Sequence, residues 1–111
     1  MIQATISRNA TGQVTAFKLT GHADSGAYGQ DIVCAAVSVL AISTINGIEQ
    51  VACLQPVVQS DETNGGLLIA DFTKLDLANT QLQTLLESFT LGLNDVATNY
   101  GDYIRVREQT R

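Results

Sequence analysis

The chain is poor in basic residues, with six Lys and Arg against eleven Asp and Glu, a net charge of −5 and a pI near 4.5. Nucleic-acid binding depends largely on neutralising phosphates with clustered Lys and Arg, and no such cluster is present. The sequence therefore argues against direct binding to RNA or DNA. An acidic surface instead favours a basic polypeptide as partner.

Histidine and cysteine are scarce as well, since the chain holds only His22, Cys34 and Cys53. One histidine is little from which to build a metal site, and neither a metal nor another cofactor is predicted. The N-terminal segment lacks the basic and apolar regions of a signal peptide, so we expect a cytoplasmic protein whose cysteines stay thiols. In a helix over residues 31–52 the two cysteines would lie roughly 28 Å apart, beyond disulfide reach.

With 111 residues and 45% hydrophobic content, residues 1–111 are predicted to form a single domain around one core. The periodicity of apolar residues predicts strands over residues 2–7, 14–20, 56–60, 67–72 and 103–108, and helices over 31–52 and 77–100. Asn64-Gly65 predicts a hairpin turn. The order ββαββαβ indicates an α+β fold with two helices packed on a largely antiparallel sheet.

The first predicted helix is apolar on most of its sides, which is typical of a helix buried in a core. Interruption by Ser38 and by polar residues from Ser43 to Asn46 favours this interpretation over a membrane span, and no membrane partner is expected. In so small a chain one sheet cannot cover the whole helix. A homodimer is therefore predicted.

Residues 21–38 carry the groups that are capable of chemistry. His22 follows a strand-like run that ends at Gly21, and loops on a rigid scaffold are where reactive groups usually lie. Asp31 is a good helix N-cap, which would place Cys34 in the first helical turn. Free backbone N–H groups and the helix dipole stabilise a thiolate there. The carboxylate of Asp31 opposes this effect, and we expect the helix end together with His22 to outweigh it.

Several residues near His22 and Cys34 in the sequence have two possible roles. Asp31 either orients His22 or acts only as the helix cap, and it can do both. Ser38 lies one turn after Cys34, where its hydroxyl either donates to the sulfur or substrate or bonds to its own helix backbone. Gly21, Gly26 and Gly29 are either simple turn residues or hinges of a gating segment. The predicted substrate-gating loop comprises Ala23, Asp24, Ser25, Gly26, Ala27, Tyr28, Gly29 and Gln30.

The run from Gly21 to Ser38, with its Gly-His-Ala and Asp-Ile-Val-Cys-Ala-Ala-Val-Ser segments, resembles the signature of the ribosomal-processing cysteine proteases. The similarity continues through residues 46–49, 91–93 and 103–104 and so covers essentially the whole chain. One departure is Asp24, where many members carry glycine. The resemblance implies an endopeptidase that removes a short N-terminal extension from ribosomal protein L-twenty-seven, after an aromatic pair. It also implies that His22 and Cys34 form the catalytic dyad.

The corresponding mechanism is attack of the Cys34 thiolate on the scissile carbonyl, with His22 maintaining the thiolate and then protonating the leaving amine. Backbone N–H groups around Cys34 at the helix start are the predicted oxyanion donors. Two other functions fit the residues: a non-catalytic dimeric module that binds a ribosomal protein or assembly factor, and a redox sensor that uses the Cys34 thiol. Cys53 is predicted to be structural.

Overall fold

The computed structural model describes residues 1–21, 28–61 and 66–111, with the backbone alone for 28–31. Its elements follow the predicted order, and the α+β class is confirmed. The predicted turn at Asn64-Gly65 lies outside the described residues. The elements are β1 (Ile2–Arg8), β2 (Val14–Thr20), α1 (Tyr28–Gln50), β3 (Val57–Asp61), β4 (Leu67–Asp71), α2 (Thr80–Asn99) and β5 (Ile104–Thr110).

The five strands form one sheet in the order β3-β4-β2-β1-β5. The pairs β1–β2, β2–β4 and β3–β4 are antiparallel, so the largely antiparallel sheet is confirmed. The exception is β5, which runs parallel to β1 with Ile2 opposite Ile104. Strand β4 runs in the same direction as β1 and β5, and α2 supplies the crossover from β4 to β5.

The core lies between the helices and one face of the sheet. Alternate strand residues point into it, as the two-residue period of a strand requires. The ring of Phe17 contacts those of Phe72 and Phe89, with centroids 5.9 and 4.4 Å apart. On β5, Ile104 is buried while Arg105 and Arg107 are exposed, as alternation along a strand requires.

Helix α2 begins at Thr80 because Asn79 caps it, with the Asn79 side chain accepting a hydrogen bond from the Leu82 N–H at 3.0 Å. The prediction that this helix begins at residue 77 was therefore three residues early. One face of α2 packs into the core, and most of the opposite face is polar. The buried residues of α2 are Leu82, Leu86, Phe89, Thr90 and Leu93.

Polar contacts also join α2 to the sheet. The Gln83 side chain accepts from the Val14 N–H at 2.9 Å and donates to the Val14 carbonyl at 3.0 Å. The Arg8 guanidinium contacts Glu87 of α2 at 2.6 Å and Glu108 of β5 at 2.9 Å. These contacts fix the position of α2 relative to β1, β2 and β5.

Helix α1 is buried on one side only in the single chain, and burial of its other sides by a second subunit stays a prediction. Its core side consists of Val33, Val37, Ala41, Thr44 and Ile48. On the opposite side Val39 and Ile42 are 66% and 57% exposed. The segment Ile32–Gln50 is long and apolar enough to cross a membrane. The core helix of a soluble protein passes the same test, so this is weak evidence for a membrane span.

Candidate active site

Cys34 is the seventh residue of α1, because the helix begins at Tyr28 and not at Asp31. Asp31 consequently lies inside the helix, and its predicted role as N-cap was wrong. The sulfur is in the second turn, where the field of the helix end is weaker than in the first. The part of the argument for a reactive thiolate that relied on the first turn therefore does not hold.

The same shift changes the predicted source of oxyanion donors. In an α-helix the N–H of residue i bonds to the carbonyl of residue i−4, so the Cys34 N–H is directed to the carbonyl of Gln30. The prediction that N–H groups around Cys34 are available at the helix start was therefore wrong. Only the first four N–H groups of a helix lack such partners.

Three residues of the predicted gating loop belong to helix α1. Tyr28, Gly29 and Gln30 form the first turn of α1, so the prediction that they belong to a loop was wrong. The remainder of that loop, as well as His22, lies outside the described residues. No proline stands near residue 28, and Gly26 and Gly29 lie on both sides of it, so the sequence does not mark clearly where the helix begins.

A cavity of about 580 Å³ separates α1 from the β3–β4 part of the sheet, and half-buried Cys34 lines it. Its walls are mostly apolar. The helix contributes residues at helical spacing from Cys34, so that one side of α1 forms a continuous wall. The cavity is lined by Cys34, Val37, Ser38, Ala41, Ile42, Ile45 and Asn46 of α1, by Val58, Ser60 and Asp61 of β3, by Leu67 and Leu68 of β4, and by Ile2, Leu19, Gly21 and Gly66.

Gly21 follows the end of β2 and reaches the rim of this cavity. Its φ of +80° lies in the left-handed region, and a Cβ atom built there would clash with the main-chain carbonyl of Met1. The Gly21 N–H donates to the carbonyl of Gly66 at 3.3 Å. Backbone conformation and close packing both require glycine here. His22 is the next residue in the sequence and lies outside the described residues.

Ser38 is exposed on the cavity side of α1, one turn after Cys34. Thr44 on the same helix donates its hydroxyl to the carbonyl of Leu40 at 2.7 Å. In the part of the chain that the structure describes, the Ser38 hydroxyl makes no such bond. Of its two predicted roles, bonding to its own helix backbone is therefore not observed.

Cys53 lies beyond the end of α1, is exposed, and has a φ of +57°. It is not among the residues that line the cavity. The structure thus brings together Gly21, Cys34 and Ser38 and leaves Cys53 apart. Among residues 1–21, 28–61 and 66–111, no three His, Cys, Asp or Glu side chains are placed to hold a metal ion.

Sequence reasoning did not identify the far wall of the cavity, formed by Val58 and Ser60 of β3 and Leu68 of β4. No local signal marks these residues, because strand order decides which strands face α1. The wall formed by α1 could have been identified from the sequence. Residues three, four, seven and eight positions after a reactive helical residue share its side of the helix. Ile42 lies eight residues after Cys34, and Ile45 at eleven continues the series.

A family model described as cysteine protease Prp matches residues 1–105 of this chain. The chain belongs to the Prp family of cysteine proteases. The resemblance found in the sequence is thus confirmed, and the enzyme class is that of a cysteine protease. The match covers every element described above except residues 106–110 of β5.

Three known proteins resemble this chain over nearly their whole length. The ribosomal processing cysteine protease Prp of Bacillus subtilis is 34% identical over 108 residues, which cover 96% of both chains. A Streptococcus mutans protein of known crystal structure is 38% identical with a TM-score of 0.94, covering 100% of this chain and 96% of its own. Prp of Staphylococcus aureus, solved with a covalently linked product peptide, is 31% identical with a TM-score of 0.85, covering 98% of this chain and 100% of its own.

Proposed function

We propose that this Prp-family protein is the endopeptidase that removes the short N-terminal extension of the large-subunit ribosomal protein L-twenty-seven, a step of ribosome maturation in the cytoplasm. The observation that carries the proposal is the position of Cys34 on a mostly apolar cavity large enough for peptide side chains. Relatives named ribosomal processing proteases, one of them with a covalently linked product peptide, support the substrate class.

In the proposed reaction the Cys34 sulfur attacks the scissile carbonyl carbon as a thiolate and forms a tetrahedral intermediate. His22 holds the proton taken from the thiol and transfers it to the departing amine when the peptide bond breaks. Water then hydrolyses the resulting thioester and restores the thiol. The proposed dyad is supported by the position of Gly21, which precedes His22 in the sequence, lines the cavity together with Cys34 and is held closely against Met1.

The intermediate also needs hydrogen-bond donors at its oxyanion. The helical N–H of Cys34 is already directed to Gln30, so the donor is assigned to a side chain. Ser38 lines the cavity one turn after Cys34, and its hydroxyl has no bond to the helix backbone in the described chain. Ser38 therefore takes the role of donor to the reacting group. Asp31 remains a candidate for orienting His22.

The character of the cavity matches the proposed substrate. Ile42, Ile45, Val58 and Leu68 give it apolar walls, which suit the aromatic pair before the scissile bond. The net charge of −5 suits a basic substrate and does not suit direct binding to RNA. The protein is further proposed to act as a homodimer, because α1 leaves apolar side chains exposed in the single chain. No membrane partner is proposed.

The test is incubation of the protein with ribosomal protein L-twenty-seven that carries its extension, followed by mass spectrometry. The expected product is shortened by cleavage directly after the aromatic pair. A matched substrate with both aromatic residues replaced by serine is expected to be cleaved about 100-fold more slowly, because the apolar cavity then loses its occupant. If no shortened product forms, or if both substrates are cleaved equally fast, the proposed substrate is wrong.

A further inference from the structure

The outer face of the sheet, opposite the helices, carries an uneven charge. Strand register places Lys18 of β2 and Arg105 and Arg107 of β5 on this face, and all three side chains are exposed. They are three of the six basic residues in a chain of net charge −5. The positions that β1, β2 and β5 contribute to this face include no carboxylate. This part of the sheet is therefore a positive surface on an acidic protein.

The cations of this face have no acidic partner within residues 1–21, 28–61 and 66–111. In those residues the ion pairs are the contacts of Arg8 with Glu87 and Glu108. The charges of Arg105 and Arg107 are consequently not needed for an ion pair of the fold. An uncompensated positive surface attracts a negatively charged group.

A hollow of about 220 Å³ lies on this face between β1 and β5. It is lined by Met1, Gln3, Ala4, Thr5, Arg105 and Arg107. A guanidinium binds a carboxylate through two parallel hydrogen bonds, and the Gln and Thr side chains supply further donors. The hollow therefore has the chemistry and the size to receive a carboxylate side chain.

Strand β5 is also an open edge of the sheet, because it lies last in the order β3-β4-β2-β1-β5. The Ile2 N–H donates to the Tyr103 carbonyl and the Arg111 N–H donates to the Arg8 carbonyl, each at 2.9 Å. In the parallel ladder between them, the odd-numbered residues of β5 bond to β1. The N–H and C=O groups of residues 104, 106, 108 and 110 are thus directed away from the sheet. They are free to bond to one more strand.

The spacing of the two arginines matches that of an added strand. Side chains on one face of any extended chain recur every two residues, about 6.6 Å, which is also the separation of Arg105 and Arg107 along β5. Acidic residues at alternate positions of a bound segment would lie beside these arginines. The residues between them would lie on the helix side of the sheet, next to half-buried Val106, and apolar side chains suit that place.

We infer that the β5 edge binds an extended acidic segment of a partner protein, which adds a sixth strand and places its carboxylates on Arg105 and Arg107. Main-chain hydrogen bonds supply the attachment, and the alternating acidic and apolar side chains supply the specificity. The peptide cavity lies between α1 and the β3–β4 part of the sheet. The β5 edge is at the other end of the sheet order, so this inference goes beyond the proposed peptidase function and does not depend on it.

The charges also argue against two other occupants. A second copy that paired through β5 about a two-fold axis would run antiparallel and bring Arg105 and Arg107 opposite the same arginines, and like charges in opposition destabilise a strand pair. Proteins that bind single-stranded RNA on a sheet stack the bases on aromatic side chains. The positions of β1, β2 and β5 on this face include no aromatic residue.

The test uses a fluorescent peptide of alternating Glu and Val residues, as long as β5, and measures its binding by anisotropy at low salt. Arg107→Glu is expected to weaken binding about tenfold or more, and Arg107→Lys only about threefold, because the charge remains. Lys74→Glu is the matched control. Lys74 is exposed like Arg107 and its replacement changes the net charge equally, yet it lies between β4 and α2 and should change binding less than about twofold. Thermal unfolding verifies that the variants are folded.

Two further peptides test whether the segment adds as a strand. In an added strand only alternate residues direct their N–H groups to β5, so N-methylation of either the Val amides or the Glu amides should abolish binding, while the other set has little effect. Sensitivity of the Val amides would indicate antiparallel addition, and sensitivity of the Glu amides parallel addition. A peptide with Gln in place of Glu should bind about tenfold more weakly than the parent peptide.

Each contrary result overturns the inference. If the wild type does not bind the acidic peptide, or if Arg107→Glu binds it as well as the wild type does, this edge is not an acidic-peptide site. Equal binding of the two N-methylated peptides would rule out strand addition. Binding of fluorescent oligouridylate in place of the peptide, lost in Arg107→Glu, would assign the surface to phosphate groups. Binding of the peptide by a protein that does not cleave L-twenty-seven would overturn only the proposed substrate.

Discussion

Helices α1 and α2 pack on the same face of the same sheet, with 23 and 20 residues, and they differ in what surrounds them. Helix α2 divides into a buried apolar face and a largely polar outer face, and Asn79 caps its start. Helix α1 is apolar on both sides and carries Cys34. Its core side resembles that of α2, while its other sides face the cavity and the uncovered surface.

The difference shows how one helix can serve both folding and chemistry. Because α2 is held by its cap, by the Gln83 contact with Val14 and by the Arg8 ion pairs, it positions α1 without taking part in the site. Helix α1 can then depart from the usual pattern of an amphipathic helix. Apolar residues that the fold does not need are kept where the peptide and the second subunit are proposed to bind.

The largest expected effect concerns the reactive residue of α1. Cys34→Ser should reduce peptide cleavage by about 10³-fold or more while leaving the free energy of unfolding nearly unchanged, because the hydroxyl is a far weaker nucleophile than a thiolate. Cys53→Ser is the control and should retain wild-type cleavage. Mass spectrometry of the product measures both. Substantial cleavage by Cys34→Ser would show that α1 does not carry the nucleophile. The contrast between a catalytic α1 and a structural α2 would then not hold.

The next effect tests whether each helix has one buried side. Ile48→Ala in α1 and Leu86→Ala in α2 remove fully buried side chains, and each should lower the free energy of unfolding by about 2–5 kcal/mol. Their exposed counterparts differ from each other. Leu91→Ala should change both stability and cleavage little, whereas Ile42→Ala should slow cleavage because Ile42 lines the cavity. Urea unfolding measures stability, and a peptide assay measures cleavage. If Ile42→Ala and Leu91→Ala had the same cleavage rate, the exposed sides of α1 and α2 would not differ in function.

The segment that leads into α1 depends on Gly21. Gly21→Ala should lower the free energy of unfolding by about 3 kcal/mol, because it adds strain at positive φ to a clash with the Met1 carbonyl. Gly12→Ala is the matched control, since Gly12 has a φ of +88° and no atom lies within 4 Å of the position that an added Cβ would take. It should cost only about 1 kcal/mol. Thermal or urea unfolding compares them, and equal losses would show that the Met1 contact is unimportant.

The start of α2 depends on its cap. Asn79→Ala should lower the free energy of unfolding by about 1 kcal/mol, because the Leu82 N–H then loses its acceptor. Asn79→Asp retains an acceptor at the same place and should be close to wild type. Peptide cleavage by both variants should stay normal when they are folded. A loss of cleavage in folded Asn79→Ala would mean that α2 is coupled to the site.

The smallest effect lies where the two helices touch. At Gly47 an added Cβ would be 3.4 Å from Leu85 Cδ2, so Gly47→Ala should raise the free energy of unfolding by about 0.5–1 kcal/mol through helix propensity. At Gly92 the corresponding distance to Leu40 Cδ2 is 2.9 Å. Gly92→Ala should gain less or lose stability, because Leu40 must move. If urea unfolding showed Gly92→Ala to be more stable than Gly47→Ala, the distances between α1 and α2 at these two glycines would differ from those in the structure.

Much of the fold was predictable because apolar periodicity is a local property of the sequence. Both helices and all five strands lie where alternation and helical spacing place them. The helix boundaries were less certain for a physical reason. Asp is favourable both at the N-cap and within the first turn, so Asp31 alone does not distinguish a helix that begins there from one that begins at Tyr28. For α2, Asn79 is a better sign of the helix start than the first apolar residue of the periodic pattern, because it caps the helix.

The candidate site was predictable in part. Cys34, Ser38 and Gly21 were selected from the sequence, and all three line one cavity. The opposite wall was not predictable, because it depends on β4 pairing with β2 and β3 pairing with β4 at one end of the sheet. Pairing between distant segments leaves no periodic trace in either segment. The roles of His22 and Cys34 in catalysis stay predictions.

The parallel pairing of β1 with β5 has a consequence for how the molecule is made. Strand β1 forms early during synthesis, yet its second edge gains a neighbour only when the last strand, Ile104–Thr110, has left the ribosome. Until then the growing chain presents an open strand edge, which is prone to wrong pairing. A growing chain of this protein is therefore expected to complete its sheet only after β5 has been synthesised.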